Sequence, residues 1–383
     1  MSKKAELYMM YLCAGLTLCV MYGVQPLQPV FEELLGITKF QASLFTTSIL
    51  IPLAVASIVY GYILEKFSIK KILIFVFLGF GVLEILFALN SSYHTLLVIR
   101  SFQGLIAPAA LIGIMSYISI SSRKDRVGSA IGAYVGITIL GGFIGRFLSG
   151  LSYDIFGSWR IFFIILGVIL LICSFFLTKI SGEVSLNNSK IRVSDIIRII
   201  KIRENALIVA FIFCLFFSFS AILNFLPFEM ASLDDSYSGS KTGLMYIGYF
   251  IGVFVSFNSK IIVHFFGNAP KAMFAGSFIL LLGLILLNST NLTTIFMAML
   301  VICLGNFIAH SIASGYINRI NESYKGIANG LYVSVYYLGG ALGSFSLSSF
   351  YSIYGWRNFL IFLSGFIILS LLLARILCAN FKR

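Results

Sequence analysis

Gly128-Ser-Ala-Ile-Gly-Ala-Tyr-Val135 returns 198 residues later as Gly326-Ile-Ala-Asn-Gly-Leu-Tyr-Val333. Carried on over 128–157 and 326–355, the two stretches agree at 13 of 30 positions. The shared residues are Gly128, Ala130, Gly132, Tyr134, Val135, Leu140, Gly141, Gly142, Gly145, Phe147, Tyr153, Ile155 and Gly157. One residue is then skipped, and Trp159-Arg160 answers Trp356-Arg357, the two tryptophans of the chain. The same offset sets Pro29 against Pro227. Two apolar helices share leucines and isoleucines by chance. They do not readily share six glycines, two tyrosines and a Trp-Arg pair in register. The chain is therefore read as two parallel repeats.

Composition says what kind of repeat this is. The chain has 383 residues, 59% of them hydrophobic and 11% charged. Its mean hydropathy is +1.00. Soluble domains carry about 25% charged residues, so 27 bases and 14 acids cannot coat a water-soluble particle of this size. The composition implies a polytopic membrane protein. It excludes a disordered chain, a secreted disulfide scaffold and a nucleic-acid-binding domain. Cysteines 13, 19, 173, 214, 303 and 378 lie in or beside apolar runs without CxxC spacing, which suits small buried hydrophobes. Lys3-Lys4 leads into a long apolar run with no small-residue cleavage site, so the first helix is expected to stay.

A bilayer takes about 20 apolar residues per helix. Twelve runs qualify: 7–30, 42–64, 71–90, 94–120, 127–153, 159–179, 204–230, 240–259, 271–288, 292–318, 326–353 and 357–379. The fold class is thus all-α, with twelve transmembrane helices in two parallel six-helix bundles, 1–182 and 204–383. A linker, 183–203, is expected in the cytoplasm, and its Ile191–Arg203 part reads as an amphipathic surface helix. With the N-terminus inside, 21 bases fall on the inner side and four on the outer, while Arg100 and Arg146 fall within spans. The net charge of +13 is then a positive-inside bias facing anionic lipid. Both termini are expected in the cytoplasm.

Several motifs resemble the major facilitator superfamily, and the resemblance covers the whole chain. Gly61-Tyr-Ile-Leu-Glu65-Lys66-Phe-Ser68-Ile-Lys70-Lys71 resembles its cytoplasmic loop motif, with Glu for the usual Asp and Ser68 for a usual Gly. Arg100-Ser-Phe-Gln103-Gly104 resembles the Arg-x-x-Gln-Gly motif of proton-coupled members. Gly141-Gly142-Phe-Ile-Gly145-Arg146 resembles the antiporter motif Gly-Pro-x-x-Gly-Gly, with Gly142 for the proline and Arg146 for the last glycine. Gly142-x-x-Gly145-Arg146-x-x-Ser149-Gly150, His310-Ser-x-Ala313-Ser314 and Tyr336-Tyr337-Leu338-Gly339 are similar to a narrower branch, the YnfM-like inner-membrane permeases of bacteria, of drug–proton antiporter type. The resemblance implies two parallel six-helix halves, with the substrate near the midplane between them. It implies a bacterial inner membrane, and a coupling or gating role for Gly61, Glu65, Lys66, Lys70, Arg100 and Gln103.

Polar and ionisable residues inside spans are the other candidates, because each is expensive there and usually faces a cavity or a partner. Arg146 lies some 12 Å inside span five at about 1.5 Å per residue. Tyr134, Thr138 and Gly142 share its face, and the repeat puts Ser344 in its place in the other half. It either binds solute or serves a gate, or it snorkels outward or pairs with Asp154. Arg100 is either a coupling residue or one bonded to carbonyls of neighbouring helices. Asn306, His310 and Ser314 form a polar stripe on span ten. His310 suits a proton carrier or a switch, or is a neutral ring bonded to one hydroxyl. Glu84 is the one acid well inside a span, and either carries a proton or pairs with a base. Tyr22, Gln25 and Gln28 near Pro26 and Pro29, and Asn224 near Pro227, face a cavity or are helix-end residues. The substrate-binding set is Arg146, Tyr22, Gln25, Thr138, Asn224, Asn306, His310 and Tyr336, and Glu84 joins the coupling set.

The expected function is alternating-access transport of a small organic solute, by export against protons. The alternative is proton-coupled import or exchange of a small anion. Arg146 and Arg100 within spans, and the scarcity of intramembrane acids, favour an anionic solute over a cationic drug. An intramembrane enzyme or sensor finds no catalytic constellation or soluble signalling domain, and a P-loop for ATP is absent from the sequence. No cofactor and no metal is expected. The expected partners are the solute, protons and membrane lipid, without nucleic acid, for a monomer.

Overall fold

Proline lacks the N–H that continues a helix, and Pro26 and Pro29 interrupt the first span where that rule places a break. In the computed structural model, which describes residues 3–123, 126–180, 199–233, 238–321 and 325–380, span one is helical over Lys3–Tyr22. It passes through a 3-10 turn, Gln25–Leu27, and resumes as Gln28–Leu35. Every regular element in the described residues is helical.

Spans two to seven are single helices: Lys39–Lys66, Ile69–Leu89, Tyr93–Ser121, Val127–Phe156, Arg160–Thr178 and Arg203–Leu233. Spans nine and ten are Ala269–Leu287 and Leu292–Ile320. Span eleven begins as Lys325–Ser346 and finishes in the first turns of Ser348–Asn380. Gly355 (φ 75°, ψ 176°) breaks that last helix, and span twelve follows it. Ten helices are long and apolar enough to cross a bilayer by themselves, and span eight makes eleven as a bent pair. Span eleven, with five glycines in its first helix, completes the twelve expected.

Span eight departs from the uninterrupted run expected at 240–259. Helices Gly239–Leu244 and Tyr249–Phe257 are separated by a 3-10 segment, Met245–Gly248. After Asn258 the chain bends by 75° into Ser259–Phe266. No residue of that short helix is buried; it is an amphipathic surface piece, with Ile261 and Phe265 among the most exposed apolar side chains. Gly243, Gly248 and Gly252 weaken the helix between them, and a side chain at Gly248 would collide with Cys303. The expected surface helix of the linker lies largely outside the described residues, and the chain enters span seven from Ile199.

By contacts the chain divides into two units. Unit 1 is Met1–Ser189 with Asp234–Leu244, and unit 2 is Lys190–Leu233 with Met245–Arg383. The repeat is visible inside each. In unit 1, spans one and five meet where Gly141 lies on the backbone of Gly15 and Gly145 on Cys19. In unit 2, spans seven and eleven meet where Gly339 lies on Phe213 and Gly343 on Phe217. All four pairs keep the 198-residue offset, and none leaves room for a side chain. Gly157 (φ 63°, ψ 13°) takes the left-handed conformation that ends a helix, and Gly355 (φ 75°, ψ 176°), its mate in the repeat, breaks the helix with an extended ψ at positive φ. Just beyond them, Arg160 donates to the Ala88 and Asn90 carbonyls at the end of span three. Trp356 Nε1 donates to the Leu287 carbonyl at the end of span nine (3.2 Å). The Trp-Arg signature thus anchors the turn after each repeat to the neighbouring helix end.

Candidate functional site

The break in span one exposes a row of backbone carbonyls, because the last turn of a helix has no partner further along. Gly23 N–H donates to the Cys19 carbonyl (2.9 Å). The next two carbonyls are taken by Arg100 of span four: Nη1 donates to Val20 and Nη2 to Met21, each at 2.7 Å. Arg100 also donates from Nε to the Phe45 carbonyl of span two (3.2 Å) and from Nη1 to Gln103 Oε1 (2.8 Å). Its side chain is fully buried. Of the two readings of Arg100, bonding to neighbouring carbonyls is the geometry found, and the motif glutamine holds the guanidinium in place.

Arg146 works on the other side of the same break. Its Nε donates to Gln25 Oε1 at 2.6 Å, and its Nη1 to the Gly142 carbonyl one turn back at 2.7 Å. Its guanidinium lies over the Tyr22 ring, 4.3 Å from the centroid. Gln25, the Tyr22 ring and the Gly142 carbonyl are thus among the groups that orient the guanidinium. Gln28 donates to Thr46 Oγ1 (3.0 Å). Thr138 turns its hydroxyl to Val135 of its own helix (2.7 Å).

Arg146 neither snorkels outward, since it is fully buried, nor pairs with Asp154. That carboxylate accepts instead from Ser238 Oγ (2.8 Å) and from the N–H groups of Gly239 and Ser240 (2.9 Å each). Asp154 therefore caps the first turn of span eight, a position where an acidic acceptor contributes about 1 kcal/mol. Alanine at Asp154 is expected to lower the thermal midpoint of the purified protein by a few degrees. It should add to the effect of Arg146→Ala rather than rescue it, because the two side chains serve different partners. A double variant more stable than Arg146→Ala alone would reinstate the pair.

In unit 2 the repeat mates of this site are small and neutral. Ser344 replaces Arg146, and Ser220 replaces Tyr22, with their hydroxyls 2.8 Å apart. Asn224 Nδ2 donates to the Ser344 carbonyl (2.9 Å). Tyr134 donates to the Leu111 carbonyl (2.9 Å), and its mate Tyr332 lies 2.9 Å from His310 Nδ1 and 3.0 Å from the His310 carbonyl. Tyr336, the mate of Thr138, stacks on Phe216 at 3.5 Å and lies 4.7 Å from the His310 ring. Asn306 is buried, and neither end of its amide has a hydrogen-bond partner. The sequence reading missed Tyr332, although its pairing with Tyr134 in the repeat marks it.

Glu84 is fully buried on span three. Burial acts most on its carboxyl, followed by the charge of Arg100 and the Gln103 amide, and neither carboxyl oxygen has a hydrogen-bond partner of good geometry. In the loop after span two, Lys70 Nζ donates to the Ile180 carbonyl at the end of span six (2.6 Å). The side chains of Gly61, Glu65 and Lys66 lie outside the described residues. Among the described residues no group of three His, Cys, Asp or Glu could hold a metal ion.

Comparison with known proteins agrees with this architecture. The family model of the Major Facilitator Superfamily matches residues 10–344. The uncharacterized MFS-type transporter YybF of Bacillus subtilis is 27% identical over 96% of this chain and 91% of its own length. The inner membrane transport protein YnfM of Escherichia coli is 27% identical over 94% of this chain and 87% of its own. Among solved structures, the nucleoside transporter NupG aligns over 100% of both chains with a TM-score of 0.79 at 15% identity. A bacterial homologue of the human lysosomal transporter Spinster aligns over 97% of both with a TM-score of 0.78 at 13% identity. At those identities the structures speak for the fold alone.

Proposed function

The chain belongs to the major facilitator superfamily, a multi-pass secondary transporter, and from that premise we propose that it exports a small organic anion in exchange for protons. The observation that carries the reading is Arg146: a fully buried guanidinium oriented by Gln25 and Tyr22, at a position where the other repeat has Ser344. A guanidinium held in a fixed orientation offers a carboxylate a bidentate contact strengthened by the low local dielectric. Tyr22 and Gln25 orient it. Thr138 in the same unit, and Asn224, Asn306, His310 and Tyr336 in unit 2, are the further substrate-binding candidates. Asn306 is the best of these, because its amide lacks a protein partner.

Proton coupling is assigned to Arg100, Gln103 and Glu84. Gly61, Glu65, Lys66 and Lys70 form the cytoplasmic hinge. Both termini lie in the cytoplasm of a bacterial inner membrane, and the working unit is a monomer. Reconstituted protein in liposomes with an imposed pH gradient tests the scheme against a panel of small anions, cations and neutral solutes. An anion is expected to move against the proton flow, and collapse of the gradient should remove at least about nine-tenths of that flux, a tenfold effect. Anion flux in the same direction as protons favours import instead. Flux restricted to cations removes the role given to Arg146.

A further inference from the structure

Three groups with unused hydrogen-bonding capacity meet beside the break in span one. Glu84 Oε1 and Oε2 have no hydrogen-bond partner, and neither has Gln103 Nε2. Arg100 gives four of its five N–H groups to Phe45, Val20, Met21 and Gln103. A buried carboxylate is stable only when paired and hydrogen-bonded. Were Glu84 ionised in this place, its nearest strong donor would be the Arg100 guanidinium. Arg100 instead faces the carbonyls of span one, which is the arrangement expected of a neutral carboxylic acid. The charged and titratable groups that reach Glu84 are Arg100 from span four and the Cys19 thiol from span one. Span six meets this helix through Gly167 and Leu171, packed on Gly81.

We infer that Glu84 is a proton-binding site whose charge state sets the grip of Arg100 on the break in span one. With the proton on Glu84, Arg100 holds the Val20 and Met21 carbonyls, as in the structure. When the proton leaves to water, the carboxylate draws the guanidinium toward itself. The two carbonyls then lose their donors, and the turn that carries Tyr22 and Gln25 loosens. Since Tyr22 and Gln25 also seat Arg146, a proton on span three controls a solute-binding cation on span five through span one. One proton is bound or released per Glu84, and the local charge of the Glu84–Arg100 pair changes from +1 to zero when it leaves. The inference rests on the proton-coupled reading for its use in transport, but it can be tested without transport.

Two measurements on the purified, detergent-solubilised chain suffice. Infrared difference spectra across pH should show the carbonyl stretch of a buried, non-hydrogen-bonded carboxylic acid that disappears as pH rises. Glu84→Gln should remove that band. Amide hydrogen exchange over residues 17–31, corrected for the intrinsic pH dependence, should speed up by about tenfold in the wild type as the band disappears. In Glu84→Gln, which keeps the shape of the neutral acid, exchange should stay slow at every pH. If Glu84→Gln does not fold, Glu84→Met supplies a neutral side chain of similar volume. A band unaffected by either variant overturns the inference. So does exchange that follows the same pH course in wild type and variant. A wild type that shows both signatures but ignores a pH gradient in liposomes removes the proton-coupled export scheme and leaves the Glu84 switch standing.

Discussion

An Arg146→Ala protein is expected to insert and fold yet to move its anionic solute at least about a hundredfold more slowly than wild type. That factor corresponds to about 2.7 kcal/mol, within the range for losing charge-assisted hydrogen bonds from a buried site. The structure shows why the fold should survive. Alanine leaves Gln25 Oε1 without its 2.6 Å donor and the Tyr22 ring without its cation, and both of these groups are neutral. Arg146→Lys keeps the charge and gives up the planar fork. It is expected to retain transport at about a tenth of the wild-type rate with weakened solute affinity. Gln25→Leu is the informative companion, since it removes the positioning group and leaves the cation. Initial rates in liposomes, with folding checked by size-exclusion profile, decide the matter. Normal transport by folded Arg146→Ala would reduce the residue to a packing role.

The second large effect concerns folding. Gly145→Val and Gly343→Val are expected to abolish accumulation of folded protein, in either half alone. A Cβ at Gly145 would sit 2.6 Å from the Cys19 Cα, and one at Gly343 would sit against the Phe217 carbonyl. The obstacle is backbone in both cases, so no rotamer change relieves it, and overpacking of this kind costs about 1–3 kcal/mol or more. Close approach at small residues is also how helices gain packing energy in lipid, where no hydrophobic force joins them. Gly315→Ala is the control: nothing lies within 4 Å of its would-be Cβ, and alanine should be tolerated or stabilise span ten by up to about 1 kcal/mol. Equal yields from all three variants would mean that the helix crossings are looser than described.

Much of this was legible in the amino-acid sequence because it is periodic. The 198-residue offset predicts which glycines meet which helices, and the structure places the Gly141–Gly15 and Gly339–Phe213 contacts at that offset. Pro26 and Pro29 announce the break in span one, since proline removes a donor wherever it stands. Span eight escaped, because Gly243, Gly248 and Gly252 read equally well as packing glycines in a continuous helix. Asp154 escaped for another reason. Its partners are 84–86 residues away in sequence and are mostly backbone N–H groups, which no residue type advertises, whereas an arginine on its own helix does. The joint placement of Arg100 and Arg146 at one break is likewise invisible in the chain, where 46 positions separate them. Only folding brings spans four and five to opposite sides of the same turn.

The repeat is even in shape but uneven in charge. Among the described residues, the buried charged side chains are Glu6, Glu84, Arg100 and Arg146, and all four belong to unit 1. A transmembrane potential acts on such charges at about 2.3 kcal/mol per elementary charge for a full crossing of 100 mV. Among the described residues of unit 2, serines and asparagines stand at the matching repeat positions and no charged side chain is fully buried. Membrane voltage is therefore expected to act more strongly on unit 1 than on unit 2. Steps that displace unit 1 should respond to an imposed potential, and Glu84 sets how strongly, because its proton decides whether the charges of Arg100 and Glu84 cancel.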